Sequence, residues 1–234
     1  MKRHVVNAKS ILSRQTKYSS KNKVSARNGM SIKFVLEKLV PEKTAGPSPA
    51  FTVFDVIKML ETIAESGSIG RGSLSEKLGL GEGTTRTLIS RLKKAQLMTT
   101  SRKGCALTEK GTKVWNQIKA LIPIMLRIED NELTFAANNV ATLVKNRAIK
   151  VNKGLEQRDA AVRAGASGAT TLVYKDGKLT LPTISTDISS DYPKAFRQIM
   201  QLMNPSDNDV VIVSCGATLK TAEYGALAAA WTLL

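Results

Sequence analysis

A cluster of basic and hydroxyl side chains lies in residues 84–103, which read TTRTLISRLKKAQLMTTSRK. Guanidinium, ammonium and hydroxyl groups form hydrogen bonds with phosphate oxygens and with the edges of nucleobases. The candidate contacts combine all three groups within this short segment: Thr84, Arg86, Thr87, Ser90, Lys94, Arg102 and Lys103. These side chains could bind a nucleic acid, provided that the fold presents them on one surface.

An amphipathic helix would position the first part of this cluster. Apolar and small side chains recur at helical spacing and predict a buried stripe of Thr85, Leu88, Ile89, Leu92 and Ala95. The opposite face would hold four bases and no acids, namely Arg86, Arg91, Lys93 and Lys94. The segments MTTS, RKG and CAL then predict a hairpin with two bases at its tip, followed by a helix with Thr108 as its N-cap.

Two further helices are predicted before this one. Residues 51–67, FTVFDVIKMLETIAESG, carry apolar residues at helical spacing and reach Gly67 just past the helix end. A short helix from Ser73 to Leu78 follows and is closed by Gly79 in a tight turn. A helix–turn–helix followed by a basic hairpin is the arrangement of a winged helix, whose recognition helix enters the major groove of DNA. Bases on the two consecutive elements would then face the same duplex.

The segments TTRTLISRLKKAQLM and LTEKG resemble the winged-helix core of MarR-, IclR- and PadR-type regulators. The resemblance implies that the groove-facing residues are Thr84, Arg86, Thr87 and Ser90, with Arg102 and Lys103 in the wing. Gln96 departs from the pattern, because those families usually have a helix-ending glycine there, and the entry into the wing is therefore in doubt. Together, GSLSEKLGLGEGTTRTLISRL and GATTLVYKDGKL are similar to archaeal proteins that join a winged helix to a C-terminal domain of unknown function.

Charge is distributed unevenly along the chain. The net charge is +16 and the pI about 10.0. Residues 1–30 hold eight bases and no acids, and residues 51–122 hold twelve bases against six acids. Residues 123–234 are close to neutral, with twelve bases against eleven acids. The excess therefore favours a polyanionic partner for the first half, and double-stranded DNA is the expected one.

The predicted fold class is α+β, with a winged helix–turn–helix followed by a mixed α/β domain. We predict a basic tail without fixed structure over 1–29, the winged helix over 30–122 and the mixed domain over 123–234. Translation could instead start at Met30, and PEKTAGPSP (41–49) is predicted to be a loop. The last part of the chain predicts elements in the order β-α-β-β-α-β-α, including a hairpin that turns at Asp176–Gly177.

Cysteine and histidine usage argues against several kinds of chemistry. The chain has two cysteines, Cys105 and Cys215, and one histidine, His4, which is too few for a disulfide framework or a structural zinc site. We therefore expect no cofactor, no catalytic Ser-His or Cys-His arrangement, and a reducing cytoplasm as location. The longest apolar run, ALAAAWTLL, is far shorter than the ~20 residues that cross a bilayer, so no membrane association is expected.

Small residues in the second half could form an anion site for a small-molecule effector. VVIVSCGATLKTAEYG predicts a strand, a small-residue turn and a helix, whose backbone N–H groups would be exposed. The candidate ligand residues are Ser214, Cys215, Gly216 and Thr218, together with Ser167 and Gly168 from a second small-residue turn at the same crevice of an α/β sheet. Alternatively, these small residues only allow the last helix to pack closely on the sheet.

The sequence predicts a one-component, sequence-specific transcriptional regulator that binds DNA as a homodimer. Its dimer contact would be residues 112–126, where Val114, Ile118, Leu121 and Ile122 form an apolar stripe beside Trp115. Two other functions stay open: a metabolic enzyme with an accessory winged helix, and an RNA- or ribosome-associated protein. Catalytic acids or bases at the two small-residue turns would favour the enzyme, and a preference for structured RNA would favour the RNA- or ribosome-associated protein.

Overall fold

The computed structural model describes residues 31–40 and 51–234. The predicted tail (1–29), the predicted loop (41–49) and the alternative start at Met30 lie outside these residues. Within them, no helix combines the length and the apolar character that crossing a bilayer requires.

The N-terminal half has the predicted helix–turn–helix and wing. Its elements are α1 (Ile32–Glu37), α2 (Val53–Ser66), α3 (Arg71–Leu78), α4 (Glu82–Lys94), β1 (Met98–Ser101), β2 (Gly104–Leu107) and α5 (Glu109–Leu121). Helix α3 begins two residues earlier than predicted, and Gly79 ends it in the left-handed conformation. The predicted N-cap of α5 is confirmed, because Thr108 Oγ1 accepts a hydrogen bond from Gly111 N at 3.0 Å.

An isolated β-bridge attaches the wing to the segment between α2 and α3. Ile69 pairs with Cys105 of β2 through two backbone hydrogen bonds of 3.0 and 2.7 Å. Gly104, beside this pair, has a φ of +117°, and a Cβ there would lie 2.5 Å from Ile69 O. Only glycine therefore lets the wing hairpin approach the segment between α2 and α3 so closely.

The C-terminal half is a five-stranded sheet covered by helices. Its elements are β3 (Ile124–Ile128), β4 (Asn138–Val144), a 3₁₀ turn (Ala148–Lys150), α6 (Leu155–Arg163), β5 (Gly168–Lys175), β6 (Lys178–Thr180), α7 (Ile188–Asp191), α8 (Pro193–Met203), β7 (Val210–Gly216) and α9 (Leu219–Thr232). The strand order is β3-β4-β7-β5-β6, and every neighbouring pair is antiparallel. The crevice expected at the carboxyl ends of parallel strands therefore does not exist here.

Strand β3 is missing from the predicted order of elements. The apolar stripe within 112–126 predicts that the preceding helix continues through this segment, but α5 ends at Leu121 and Pro123 precedes the strand. Proline cannot continue a helix, because it lacks the N–H group and clashes with the preceding turn. Residues 124–128 instead pair with β4 and form one edge of the sheet.

Alternation along β7 directs side chains into two apolar layers. Val211 and Val213 pack with Ile199 and other residues of α8 on one face. Val210 and Ile212 belong to a cluster on the other face, which α6 and α9 cover. The sheet thus lies between two helical layers. The side chains of β7 alternate between them with a period of two, and both faces of this strand are buried.

The two halves of the chain share one apolar core. The cluster on the α6–α9 side of the sheet continues without interruption into the winged helix, from Leu227 and Trp231 of α9 to Leu36 of α1 and Leu60 of α2. Interfaces of this kind restrict relative motion of two domains, because separating them would expose apolar surface.

The predicted dimer contact on α5 loses its basis in this structure. Val114, Ile118 and Ile122 are buried against other residues of the same chain, in the core shared by the two halves. The apolar stripe that suggested a partner surface is thus covered internally, and residues 124–126 belong to β3. Homodimer formation stays a prediction, but this stripe does not support it.

Candidate nucleic-acid interface

Helix α4 presents most of the predicted contact residues on one exposed face. Thr85, Leu88, Ile89 and Leu92 of the predicted apolar stripe are buried, and its last member, Ala95, is half-buried at the C-cap. The exposed face carries Arg86, Thr87, Ser90, Lys93 and Lys94, with Thr84 half-buried at its edge. Thr87 Oγ1 donates to Gly83 O at 3.0 Å, which leaves the hydroxyl oxygen free to accept a further hydrogen bond.

Arg91 is not part of this face, contrary to the prediction. Its Nη1 donates to Leu39 O at 3.1 Å, and its guanidinium lies 5.6 Å from the ring centre of Phe51. Arg91 therefore attaches the segment after α1 to α4. The exposed face also includes an acid, because Glu82 lies 3.4 Å from Arg86 at the start of the helix. This exposed pair is weak, so Arg86 stays available to a ligand.

Gln96 ends α4 in the backbone conformation that glycine most often adopts at the end of a helix. Its φ is +62°, in the left-handed region. Its N–H donates to Lys93 O, and Leu97 N–H donates to Leu92 O, both at 2.9 Å. These are the two hydrogen bonds of a Schellman motif, so the chain enters the wing as it would with glycine.

The wing and α4 are held in a fixed relation by side-chain hydrogen bonds. Arg102 and Lys103 are exposed at the wing tip, between β1 and β2. Ser68 Oγ donates to Lys103 O at 2.7 Å, and Lys93 Nζ of α4 donates to Thr100 Oγ1 of β1 at 3.0 Å. Both predicted groups of bases therefore belong to one connected surface.

Arg71, the first residue of α3, is a contact candidate that the sequence interpretation missed. It lines one shallow depression between α3 and α4, together with Arg86, Ser90, Lys93 and Lys94. The predicted helix started at Ser73, which placed Arg71 in a loop. The signal that could have identified it is its position directly after Gly70, the N-cap of α3.

Four open glycines surround the starts of α3 and α4. Gly70 and Gly81 are the N-caps, and Gly72 and Gly83 are the second residues of the two helices. A Cβ at any of the four would meet no atom within 4 Å, so packing inside the fold does not require glycine there. Glycine in a helix lowers stability relative to alanine. The open space instead leaves the backbone N–H groups of both helices accessible to a closely approaching anion.

The predicted small-residue turn at 214–218 is wrong in its extent. Strand β7 continues to Gly216, and Ser214, Cys215 and Gly216 are buried within the sheet. Of the four candidate ligand residues in this segment only Thr218 is exposed, and it is the N-cap of α9, with Oγ1 accepting from Thr221 N at 3.2 Å. Burial also raises the pKa of the Cys215 thiol, which disfavours its reactive thiolate form.

The structure does bring the two predicted small-residue segments together, but through strand pairing. Ser167 N donates to Cys215 O at 2.8 Å, and Gly168 pairs directly with Cys215. A Cβ on Gly168 would lie 2.7 Å from the ring of Phe135, and one on Gly225 would lie 2.5 Å from Ser214 Oγ. The Gly225 contact agrees with the alternative interpretation, in which small residues allow close packing of α9 on the sheet.

Comparisons with known proteins agree with the two-part organisation. Residues 56–122 match a family model described as "CggR N-terminal DNA binding domain", and residues 135–233 match "Domain of unknown function (DUF4443)". The solved structure "Hypothetical protein PH0730 from Pyrococcus horikoshii OT3" is 28% identical, with a TM-score of 0.63, over 78% of this chain and 92% of that one.

A second solved structure, of RV1404 from Mycobacterium tuberculosis, is 18% identical over 50% of this chain and 74% of that one, with a TM-score of 0.28. No protein with a curated description matches the sequence. One half of the chain is thus similar to a DNA-binding domain and the other to a domain of unknown function, which confirms the predicted resemblance to archaeal two-part proteins.

Proposed function

We propose that this protein is a one-component transcriptional regulator that recognises a specific DNA sequence. The observation that carries the proposal is the single surface formed by α4, the wing and the start of α3, in a region that matches a DNA-binding domain. In this proposal Thr84, Arg86, Thr87 and Ser90 contact base edges in the major groove. The remaining bases contact the phosphate backbone or the minor groove: Arg71, Lys93, Lys94, Arg102 and Lys103.

The open glycines support the same orientation of the DNA. With the recognition helix in the groove, phosphates would approach the N-termini of α3 and α4, where the helix dipoles favour negative charge. Side chains at Gly72 and Gly83 would keep a phosphate at a greater distance from these backbone N–H groups. This accounts for glycine at positions where nothing inside the fold requires it.

We also propose that the protein binds as a homodimer. One winged helix contacts a single half-site, and two-fold dimers on pseudo-palindromic sequences extend the contact to two half-sites. Because the α5 stripe packs within the same chain, we place the dimer surface elsewhere. Cytoplasmic location and the absence of enzymatic activity stay predictions from the sequence.

Genome-wide enrichment of DNA with the tagged full chain tests the proposal. The expected result is a limited set of enriched sites that share a sequence motif. The motif should consist of two half-sites that are related by two-fold symmetry and lie about one helical turn apart. Enrichment without a shared motif would contradict sequence-specific regulation. Selective recovery of structured RNA would instead favour the RNA-associated alternative.

A further inference from the structure

A depression of about 550 Å³ lies where the two halves of the chain meet, far along α9 from its N-terminal cap. Helices α6 and α9 form its floor and one wall, and α1 with the start of α2 forms the other wall. We call this depression the junction cleft. Its size is within the ~300–1,000 Å³ typical of small-molecule sites, which occur preferentially between domains.

Short side chains create the space. Ala160 and Ala164 of α6 are four residues apart and lie on the face that lines the junction cleft, and Ala228 of α9 lines it as well. Residues at this spacing share one face of a helix. Larger residues at these positions would fill the junction cleft.

Three aromatic residues in the junction cleft are fixed by their own contacts. The rings of Phe54 and Tyr224 meet edge to face, with centroids 6.2 Å apart and an interplanar angle of 67°. Tyr224 Oη donates to Asp55 Oδ1 at 2.7 Å, and Trp231 Nε1 donates to Glu37 Oε1 at 3.0 Å. These contacts hold the rings of Phe54 and Tyr224, and the exposed edge of the largely buried Trp231, in fixed positions, as a preorganised aromatic site requires.

Opposite charges lie at the two ends of the junction cleft. Helices α6 and α9 are antiparallel, because Gln157 Nε2 donates to Thr232 Oγ1 at 2.7 Å while Ala161 lies against Gly225. Arg163 is therefore at the level of Tyr224. Glu156, seven residues earlier and about 10 Å away along the helix, is at the level of Trp231.

The Arg163 guanidinium is available for a ligand. Both Arg163 and Glu156 are exposed, and neither side chain has a hydrogen bond or ion pair with any other residue in 31–40 or 51–234. Lys33, the other base of the junction cleft, is already engaged, since its Nζ donates to Trp231 O at 2.9 Å. An anionic group would therefore bind at Arg163, next to the Tyr224 ring.

We propose that the junction cleft binds a small aromatic carboxylate, with its ring against Phe54, Tyr224 and Trp231 and its carboxylate on Arg163. Both amino acids and non-amino acids have this chemistry, and Glu156 is placed to distinguish them by pairing with an ammonium group. The ligand would contact the winged helix and the DUF4443 domain at the same time.

A ligand in the junction cleft would affect the DNA-binding surface through α9. This effect on DNA binding rests on the proposed function. Lys220 Nζ of α9 donates to Leu78 O at 3.1 Å and to Gly79 O at 3.3 Å, at the turn between α3 and α4. Glu223 of α9 lies 3.3 Å from Lys58 of α2. A ligand that binds one arrangement of α9 more tightly than another changes DNA affinity by that difference.

Calorimetric titration of the full chain in the absence of DNA tests the site itself. Phenylpyruvate and L-phenylalanine are the aromatic probes, and acetate tests the carboxylate alone. We expect saturable binding of one molecule per chain for at least one aromatic probe, and none for acetate. Arg163→Ala should weaken it about tenfold or more. The matched control is Arg158→Ala on the same helix, where Arg158 pairs with Asp159 at 3.0 Å, and it should bind like the parent.

The two aromatic probes decide the source of the ligand. Tighter binding of L-phenylalanine that Glu156→Gln abolishes identifies an amino acid, and tighter binding of phenylpyruvate identifies a non-amino acid. No saturable binding of either probe at millimolar concentration, or equal binding by Arg163→Ala, overturns the proposal. Because these titrations contain no DNA, ligand binding without DNA binding would reject only the regulatory function, and the reverse result would reject only the site.

Discussion

Tyr224 Oη of the last helix donates a 2.7 Å hydrogen bond to Oδ1 of Asp55, in the first turn of α2. Asp55 is only 4% exposed, and its second oxygen accepts from Thr52 N and Thr52 Oγ1 at 2.7 and 2.8 Å. Burial, together with the hydrogen bond to Asp55, raises the pKa of Tyr224 well above its ordinary value, so the phenol stays protonated and keeps donating. One buried carboxylate thus caps a helix of the winged domain and attaches it to the C-terminal half of the chain.

Tyr224→Phe should destabilise the whole chain by about 1–2 kcal/mol, because it leaves a buried carboxylate oxygen without its donor. Chemical denaturation that is followed by circular dichroism measures the change. Tyr192→Phe is the control, since the Tyr192 hydroxyl has no hydrogen-bond partner within the described residues, and it should change stability little. Equal effects of the two substitutions would show that the Tyr224–Asp55 bond does not stabilise the junction.

Arg86→Ala and Lys103→Ala should weaken DNA binding in different ways. Loss of a base-edge contact at Arg86 should reduce discrimination between sites by about 1–3 kcal/mol. Loss of a phosphate contact at Lys103 should weaken binding to all sequences and lower the salt slope by about one unit. Fluorescence anisotropy with specific and scrambled duplexes separates the two effects. Lys178→Ala removes one exposed charge from the C-terminal half and serves as control, and parental binding by all three variants would contradict the interface.

Gly83→Ala should make the protein more stable and its DNA binding weaker. Alanine in a helix is favoured over glycine by about 0.5–1 kcal/mol, and the added Cβ meets nothing within 4 Å in the fold. The same methyl group would keep a phosphate away from the start of α4. Thermal unfolding and anisotropy on the same sample measure both quantities. A stabilised variant with unchanged DNA affinity would show that the open glycine at position 83 does not adjoin the bound DNA.

Gln96→Gly should stabilise the protein by about 0.5–1 kcal/mol, because a non-glycine residue is strained in the left-handed region. Gln117 provides a control of opposite sign, since it is exposed in the middle of α5. Gln117→Gly should destabilise by about 1 kcal/mol through loss of helix propensity. If urea denaturation finds both substitutions destabilising, Gln96 is not strained.

Glu132 should make the C-terminal half sensitive to acid. Partial desolvation alone would raise its pKa, but hydrogen bonds from Lys194 N and Ala195 N, at 2.9 and 2.8 Å, outweigh this and lower the pKa below the ordinary 4.5. The folded pKa is depressed, so the stabilisation is fully present above pH ~4.5 and is lost as the pH falls through the folded value.

Glu132→Gln should therefore lower stability at neutral pH and flatten its decline below pH ~4.5, in urea denaturation measured at a series of pH values. Glu129→Gln, which removes a nearby exposed carboxylate, is the control, and its stability should decline with falling pH as steeply as that of the parent. If the free energy of unfolding of Glu132→Gln depends on pH as steeply as that of the parent, the hydrogen bonds that Glu132 accepts from the first turn of α8 do not stabilise the fold.

Local signals predicted the winged helix well. The stripe that includes Leu88 and Leu92 has the period of a helix, and burial of both confirms it. Asp176 and Gly177 predicted the hairpin turn, and both have positive φ, as a type I′ turn requires. These features depend on residues that are only a few positions apart, so a local stretch of sequence is enough to predict them.

Features that depend on distant contacts could not be predicted in the same way. Arg91 lies on the polar side of α4 by spacing, yet its partner is Leu39, 52 residues earlier. The antiparallel order of the sheet places β7 between β4 and β5, and no local pattern determines such pairing. The exception is β3, because Pro123 was a local signal against the predicted continuation of α5.

Recognition of a DNA sequence is tested most directly by an equilibrium competition for the full chain at physiological salt. The two competitors are a duplex with the motif found by genome-wide enrichment and a scrambled duplex of equal length and composition. We expect a specificity ratio of about 10³ or more, which falls in Arg86→Ala and is retained in Lys178→Ala. Equal affinity for both duplexes, or tighter binding of a structured RNA competitor, would contradict recognition of a DNA sequence by this surface.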